Sequence, residues 1–227
     1  MEFLLLSYIL NTLKKAAWCA SFKQRLLSKY LLGVFLFFAL AGCFSANESN
    51  QNIINQDTAL LSYFDSANGP IRPLPKNIPL DPARVALGKV LFHDKRLSKD
   101  NSIACASCHK LDMGGTDRLP RSIGINGAVG GINAPTVLNS GFNFVQFWDG
   151  RAKDLEEQAA GPVHNPIEMG SDWSEVISKL SKDQDLVKHF RNTYNDTITS
   201  ANIQDAIATY ERALITPNSP FDRFLRG

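Results

Sequence analysis

Five consecutive residues, Cys105-Ala106-Ser107-Cys108-His109, restrict this chain more than any other stretch of it. In a C-x-x-C-H run the two thiols can add to the vinyl groups of a haem while the adjacent imidazole faces the iron. Three neighbouring side chains then hold one covalently attached haem c, with His109 as the proximal iron ligand. Other uses of the pair fit less well. A zinc centre needs four nitrogen or sulfur ligands, and no second pair at zinc-finger spacing stands in the chain. A thioredoxin-like redox pair belongs in a βαβ unit, for which there is no pattern. A structural disulfide suits an exported protein but gives His109 no task.

Export is what the amino end indicates. Lys23, Arg25 and Lys29 precede an almost uninterrupted apolar run from Tyr30 to Leu40, followed by Ala41, Gly42 and Cys43. The run is too short to span a bilayer and has the parts of a secretion signal. Leu40-Ala41-Gly42-Cys43 is similar to the lipobox of bacterial lipoproteins, in which the cysteine becomes the lipidated first residue. The expectation is a signal segment over 1–42, a lipid anchor on Cys43, and a membrane-anchored protein facing the periplasm; an ordinary signal peptide with a periplasmic product is the alternative. Several acyl chains on one residue would hold the protein firmly, as one alone would not. Met1 to Phe22 lie ahead of this signal, as an early start site or a long charged region.

Residues 43–72 form a tether and an approach. The tract from Phe44 to about Gln56 is rich in Asn, Ser and Gln and cannot bury a core. Pro70, Pro73, Pro75 and Pro79 then favour extended backbone. The chain of 227 residues has apolar content enough for a sizeable core, and its net charge of +2 is spread without a basic face, which excludes a nucleic-acid partner.

Helical periodicity governs the remainder. Pro82 suits a first helical turn, and Val85, Ala86, Val90 and Leu91 follow at helical spacing. A second short helix is expected from about Asn101 through the C-x-x-C-H motif. Asp154 and Glu157 are placed as a capping box for a brief helix that Gly161-Pro162 should end. Asp172 and Glu175 repeat that start before Trp173, Val176, Ile177 and Leu180, and a longer helix carries Ile203, Ala206, Ile207, Tyr210 and Leu214. No alternating run competes, so the fold is all-α, a cytochrome c-like haem domain over 73–216 with short helices and long loops from Leu111 to Trp148 and Gly161 to Gly170. Enclosing a cofactor is one reason for loops of that length.

An ordered set of motifs carries a resemblance. Leu87-Gly88-Lys89, Arg96-Leu97-Ser98, Cys105 to His109, Asn133-Ala134-Pro135-Thr136, Phe147-Trp148-Asp149-Gly150-Arg151, Leu155-Glu156-Glu157-Gln158, Gly161-Pro162 and Glu168-Met169 stand in sequence. Together they resemble the N-terminal, peroxidatic half of the bacterial di-haem cytochrome c peroxidases, a frame that the MauG-type enzymes share. Residues 217–227, with Ser219-Pro220-Phe221-Asp222-Arg223-Phe224, resemble the connection to that family's second haem domain.

The resemblance implies that Glu168 and Gln158 line the distal pocket. Glu168 would pass a proton between the peroxide oxygens, and Gln158 would orient peroxide. It makes Trp148 part of the cofactor environment and of electron passage between haems, although a plain core aromatic is the other reading. Asn133 matches a side chain that helps hold calcium between the domains. Hydrogen peroxide is the implied substrate, and a small donor such as cytochrome c or a cupredoxin the electron source.

Two departures stand out. Many members carry a loop histidine sixteen residues after the proximal one, where this chain has Ile125; the expectation is an iron whose sixth position rests open or water-filled. Nor does a second C-x-x-C-H follow, which leaves a truncated or split frame, a haem on a separate partner or a second copy of the chain, or a mono-haem unit. A peroxidase therefore competes with a mono-haem electron carrier, which needs a sixth ligand from Met169, His164 or His189, with a MauG-like oxidase, and with an inactive remnant.

Overall fold

The computed structural model describes residues 71–227. The export signal, the lipidation of Cys43 and the tether before residue 71 lie outside them. Seven helices account for the regular structure among the described residues: α1 Pro82–Phe92, α2 Cys105–Cys108, α3 Leu155–His164, α4 Trp173–Leu180, α5 Gln184–Tyr194, α6 Ser200–Ala213 and α7 Pro220–Leu225. The only other pairing there is two isolated bridges, Ile123 with Val129 and Gln146 with Ala152. The fold is all-α, as the periodicity requires. No helix among these residues is long and apolar enough to cross a membrane.

Local chemistry explains the helix starts. The Asp81 carboxylate accepts from the Ala83 and Arg84 N–H groups at 2.8 and 3.4 Å, and Pro82 opens α1 where no N–H is needed. Asp154, Asp172, Asp183 and Thr199 cap α3, α4, α5 and α6 in the same way. At α3 the returning arm of the expected capping box is displaced by one residue: Glu157 accepts from the Lys153 N–H at 2.9 Å.

Two expectations need correction. The haem-motif helix begins at Cys105 rather than near Asn101, because Asn101 is left-handed at φ 58° and Asp100 draws the Ser102 N–H and hydroxyl into a turn. Helix α3 runs through Gly161-Pro162 to His164. Proline there removes one late hydrogen bond, and the chain beyond folds back to reuse the last turn: Met169 N–H donates to Pro162 O at 3.2 Å and Ser171 N–H to Val163 O at 2.8 Å. Within residues 217–227, helix α7 is tied to the extended proline-rich segment, with Leu74 N–H donating to Asp222 at 2.7 Å and Arg226 bonded to Leu74 O.

The core lies where α1 meets α6. A Cβ on Gly88 would stand 1.8 Å from Ala206 O, so the two backbones touch at a point only glycine permits. Leu87, Leu91, Phe92, Ile203, Ala206 and Ile207 fill this contact, and Val176, Leu180 and Phe190 extend it under α4 and α5. Phe92 meets Tyr210 edge to face, 5.3 Å between centroids. Beside the core, Arg84 pairs with Asp205 at 3.2 Å while the Tyr194 hydroxyl donates to the same carboxylate at 2.6 Å, joining α1, α5 and α6.

Candidate functional site

The C-x-x-C-H residues occupy one turn. Ala104 N–H donates to the Ser107 hydroxyl at 3.0 Å and His109 N–H to Cys105 O at 2.9 Å, which closes α2. Both cysteines are half-buried free thiols. Burial pushes the Cys105 thiol up to about 12, with the nearby Glu211 carboxyl adding to the effect; burial and Asp117 raise Cys108. Thiols held protonated in this way are poor thiolate nucleophiles, which counts against a thioredoxin-like use.

His109 is oriented by backbone. Its Nδ1 lies 3.1 Å from Pro135 O and 3.3 Å from Gly115 O. With Nδ1–H donating to a carbonyl, Nε2 presents its lone pair, and burial lowers the proton affinity of the ring so that it stays neutral. Asn133-Ala134-Pro135-Thr136 owes its place to this contact. Thr116 donates to Ala134 O at 2.9 Å and Thr136 to Gly114 O at 2.7 Å, locking the strand of backbone that carries the Pro135 carbonyl. Gly115, at φ 75°, has Thr136 Oγ1 only 2.8 Å from where a Cβ would stand. Sequence reasoning did not single out Pro135 or Gly115 as partners of the imidazole, since a carbonyl contact leaves no side-chain signal.

Glu168 closes a turn after α3. Asn165 Nδ2 donates to Glu168 Oε1 at 2.7 Å, and Glu168 N–H donates to Asn165 O at 3.0 Å. Burial raises the Glu168 carboxyl, while the Asn165 bond and the charge of Arg151 pull it down. The charge of Glu168 is in turn one of the influences that raise the Cys108 thiol. Ile125 braces the turn. Its N–H donates to Glu168 O at 2.9 Å, the side chain is buried, and a Cβ on Gly124 would fall 1.9 Å from Ile167 O.

Gln158 is half-buried on α3, in the turn before Gly161. Trp148 is 62% exposed, which removes the core-aromatic reading, and its indole N–H donates to Asn133 O at 3.2 Å. Asn133 and Trp148 are thus brought together. The Asn133 amide lies 3.5 Å from Ala134 O, and among the described residues no three His, Cys, Asp or Glu side chains converge as an ion site. Of the sixth-ligand candidates, Met169 is buried in the core cluster against which Cys105 also packs, His164 is exposed and edge-on to Trp173, and His189 is exposed on α5.

A model of the di-haem cytochrome c peroxidase family matches residues 82–227. The chain belongs to that family. It is 55% identical over 161 residues to cytochrome c peroxidase Ccp of Escherichia coli, covering 70% of this chain and 35% of that protein. Cytochrome c551 peroxidase of Nitrosomonas europaea is 48% identical, with 71% of this chain and 49% of that one covered. Methylamine utilization protein MauG of Methylorubrum extorquens is 35% identical over 84% of this chain and 54% of its own. Among solved structures, a MauG-like protein associated with microbial copper homeostasis superposes with a TM-score of 0.62 at 30% identity, covering 70% of this chain and 48% of that one. The chain spans about a third to a half of the length of these relatives.

Membership in a di-haem cytochrome family makes c-type haem the implied cofactor, and the residues present suit it. Two protonated thiols lie one helical turn apart, beside an imidazole whose Nε2 is left to coordinate. The Ser122 hydroxyl is buried beside Cys108 and lowers the proton affinity of that thiol by hydrogen bonding. Nothing in the sequence singles out Ser122.

Proposed function

We propose that this chain is the peroxide-reducing part of a cytochrome c peroxidase, with one haem c held by Cys105, Cys108 and His109. The observation that carries the reading is Glu168: a half-buried carboxyl held by the Asn165 amide at 2.7 Å, in a turn braced by the Ile125 N–H. When bound, haem supplies the Lewis acid that takes up hydrogen peroxide and the redox equivalents that reduce it. The chain's residues handle the protons. Glu168 accepts the proton of the inner peroxide oxygen and delivers it to the outer oxygen, which departs as water. Gln158 orients the substrate from α3. Burial suits Glu168 to both halves of this transfer, because it brings the carboxyl closer to neutral pH than an exposed one.

Electrons come in this reading from a small donor, a cytochrome c or a cupredoxin. To Trp148, exposed and tied to the Asn133 backbone, the reading assigns the electron path. Calcium at Asn133 belongs to the reading only as an ion completed by groups from outside the described residues. The same reading takes the export signal and a lipidated Cys43 as the anchor to a membrane facing the periplasm.

The test is a haem-matured protein mixed with peroxide while the Soret band is followed. Wild type should respond fast from a resting ferric state that is not low-spin bis-histidine, and Glu168→Gln should slow the response by roughly a hundredfold or more. Equal rates, or no response in either protein, would refute the assignment.

A further inference from the structure

One peptide unit joins the haem-attachment turn to the turn that bears Glu168. Ser98 follows the short helical turn Lys95–Leu97 and is fully buried, at 0% exposure. Its hydroxyl donates to Lys95 O at 2.9 Å and accepts from the Ile103 N–H at 3.1 Å, two residues ahead of Cys105. The haem-attachment turn is thereby fastened at its entry. The peptide between Ser98 and Lys99 faces the other way: its N–H, that of Lys99, donates to Met169 O at 2.9 Å, and Met169 follows Glu168. The remaining backbone bonds of Glu168 and Met169 run to Asn165, Pro162 and Ile125, so this one reaches the segment that leads into the haem motif.

The carbonyl of the same peptide carries a cation. Ser98 O accepts from the Lys179 ammonium at 2.7 Å. Lys179 stands in the last turn of α4 with its side chain 16% exposed, and Glu175 one turn earlier lies 3.5 Å from it. The second oxygen of Glu175 accepts from the Ser171 hydroxyl at 3.1 Å, so the ion pair also grips the residue two places beyond Met169. A positive charge on a carbonyl draws electron density toward the oxygen and makes the N–H across the same amide a stronger donor. Here the strengthened bond is the one to Met169 O. Neither Ser98 nor Lys179 takes part in the proton transfer proposed above.

Resting on the peroxidase reading of Glu168, we propose that Ser98 is a positioning residue for that reaction. Through its hydroxyl and the peptide it shares with Lys99, it sets the separation between the haem-attachment turn and the Glu168 turn. The Lys179 ammonium holds that peptide in place.

Two ligands of the haem-loaded protein test this without turnover or an electron donor. Hydrogen cyanide must pass a proton to a base as it binds ferric haem, whereas carbon monoxide binds ferrous haem with no proton moved. Cyanide association near pH 7 should slow by roughly tenfold or more in Ser98→Ala and in Lys179→Met, as in Glu168→Gln, because a displaced base loses its reach. Carbon monoxide association should stay within about twofold of wild type in all three, and Lys179→Arg should regain most of the cyanide rate. Lys179→Met keeps the apolar stem, and it carries the test where Ser98→Ala does not attach haem. The Lys99 amide should also exchange hydrogen at least about tenfold faster in Lys179→Met. If both ligands slow together, the contact shapes the pocket as a whole and the inference fails. If Glu168→Gln slows cyanide but Ser98→Ala and Lys179→Met do not, the inference fails and the reading of Glu168 stands. If Glu168→Gln leaves cyanide unchanged, that reading fails and takes the inference with it.

Discussion

Glu211 is a carboxyl on the apolar side of a helix, 6% exposed, one turn beyond Ile207 and two beyond Ile203 on α6. Burial pushes its carboxyl up to about 8, and Tyr210 and Cys105 both feel its charge. The adjacent Arg212 gives little relief, because it is bound through both terminal nitrogens to Glu156 at 2.6 and 2.8 Å. The folded value exceeds the ordinary 4.5, so folding prefers the protonated form. The associated stability is complete below about pH 4.5, declines as pH rises, and is lost once pH passes about 8. Denaturant titrations should show wild type weakening by a few kcal/mol between about pH 5 and pH 9, with Glu211→Gln much flatter; parallel profiles would refute the account. A charged residue on an apolar stripe was visible in the sequence, whereas its meaning depended on what α6 packs against. The same division holds across the site. Cys105, Cys108 and His109 declare themselves by spacing, Glu168 and Gln158 by resemblance, and Pro135, Gly115 and Ser122 by tertiary contact alone.

At the scale of elements, the decisive contact is α1 on α6, and Gly88 controls it. Its added methyl group would enter the Ala206 peptide, which is backbone and cannot swing aside. Gly88→Ala should therefore destabilise the fold by about 3 kcal/mol or more despite the better helix propensity of alanine. Gly131→Ala, with nothing within 4 Å of its added carbon, should change stability by less than about 0.5 kcal/mol. Equal midpoints in chemical denaturation would contradict the close approach. Helices α1, α4 and α6 were legible because their apolar residues repeat with a helical period and their caps are conventional. Helix α5 was passed over although Leu186, Val187, Phe190 and Tyr194 share that period, since intervening Lys188, His189, Arg191 and Asn192 dilute the signal. Helix α3 outran its Gly161-Pro162 pair for a reason no local rule contains: Gly161 is needed by the Phe147 ring, and the turn bearing Glu168 bonds the carbonyls that proline and the helix end leave free.

Across the described residues two kinds of structure coexist. Helices α1, α4, α5 and α6 enclose a continuous core and satisfy their own backbone. The long segment from Leu111 to Trp148 has only short helical turns and one internal bridge, and it exposes Ile123, Val129, Ile132, Phe144 and Trp148. That segment is held by Pro135 O and Gly115 O on His109, Val137 in the core and Ile125 N–H on Glu168, and at its far end by Asn139, bonded to Leu214 O and Thr216. The anchors before Val137 belong to residues that would face haem, so cofactor attachment and ordering of residues 111–136 should be one event, while the helical core should form without it. Hydrogen exchange on Cys105→Ser/Cys108→Ser, which cannot form the thioether bonds, should find the amides of α1 and α6 protected nearly as in the haem-loaded protein. Amides between residues 111 and 136 should exchange at least tenfold faster than in the loaded protein. Uniform loss of protection would mean that haem is needed for the core itself, and unchanged protection in the loop would mean that Pro135 and Ile125 suffice to hold the pocket open for its cofactor.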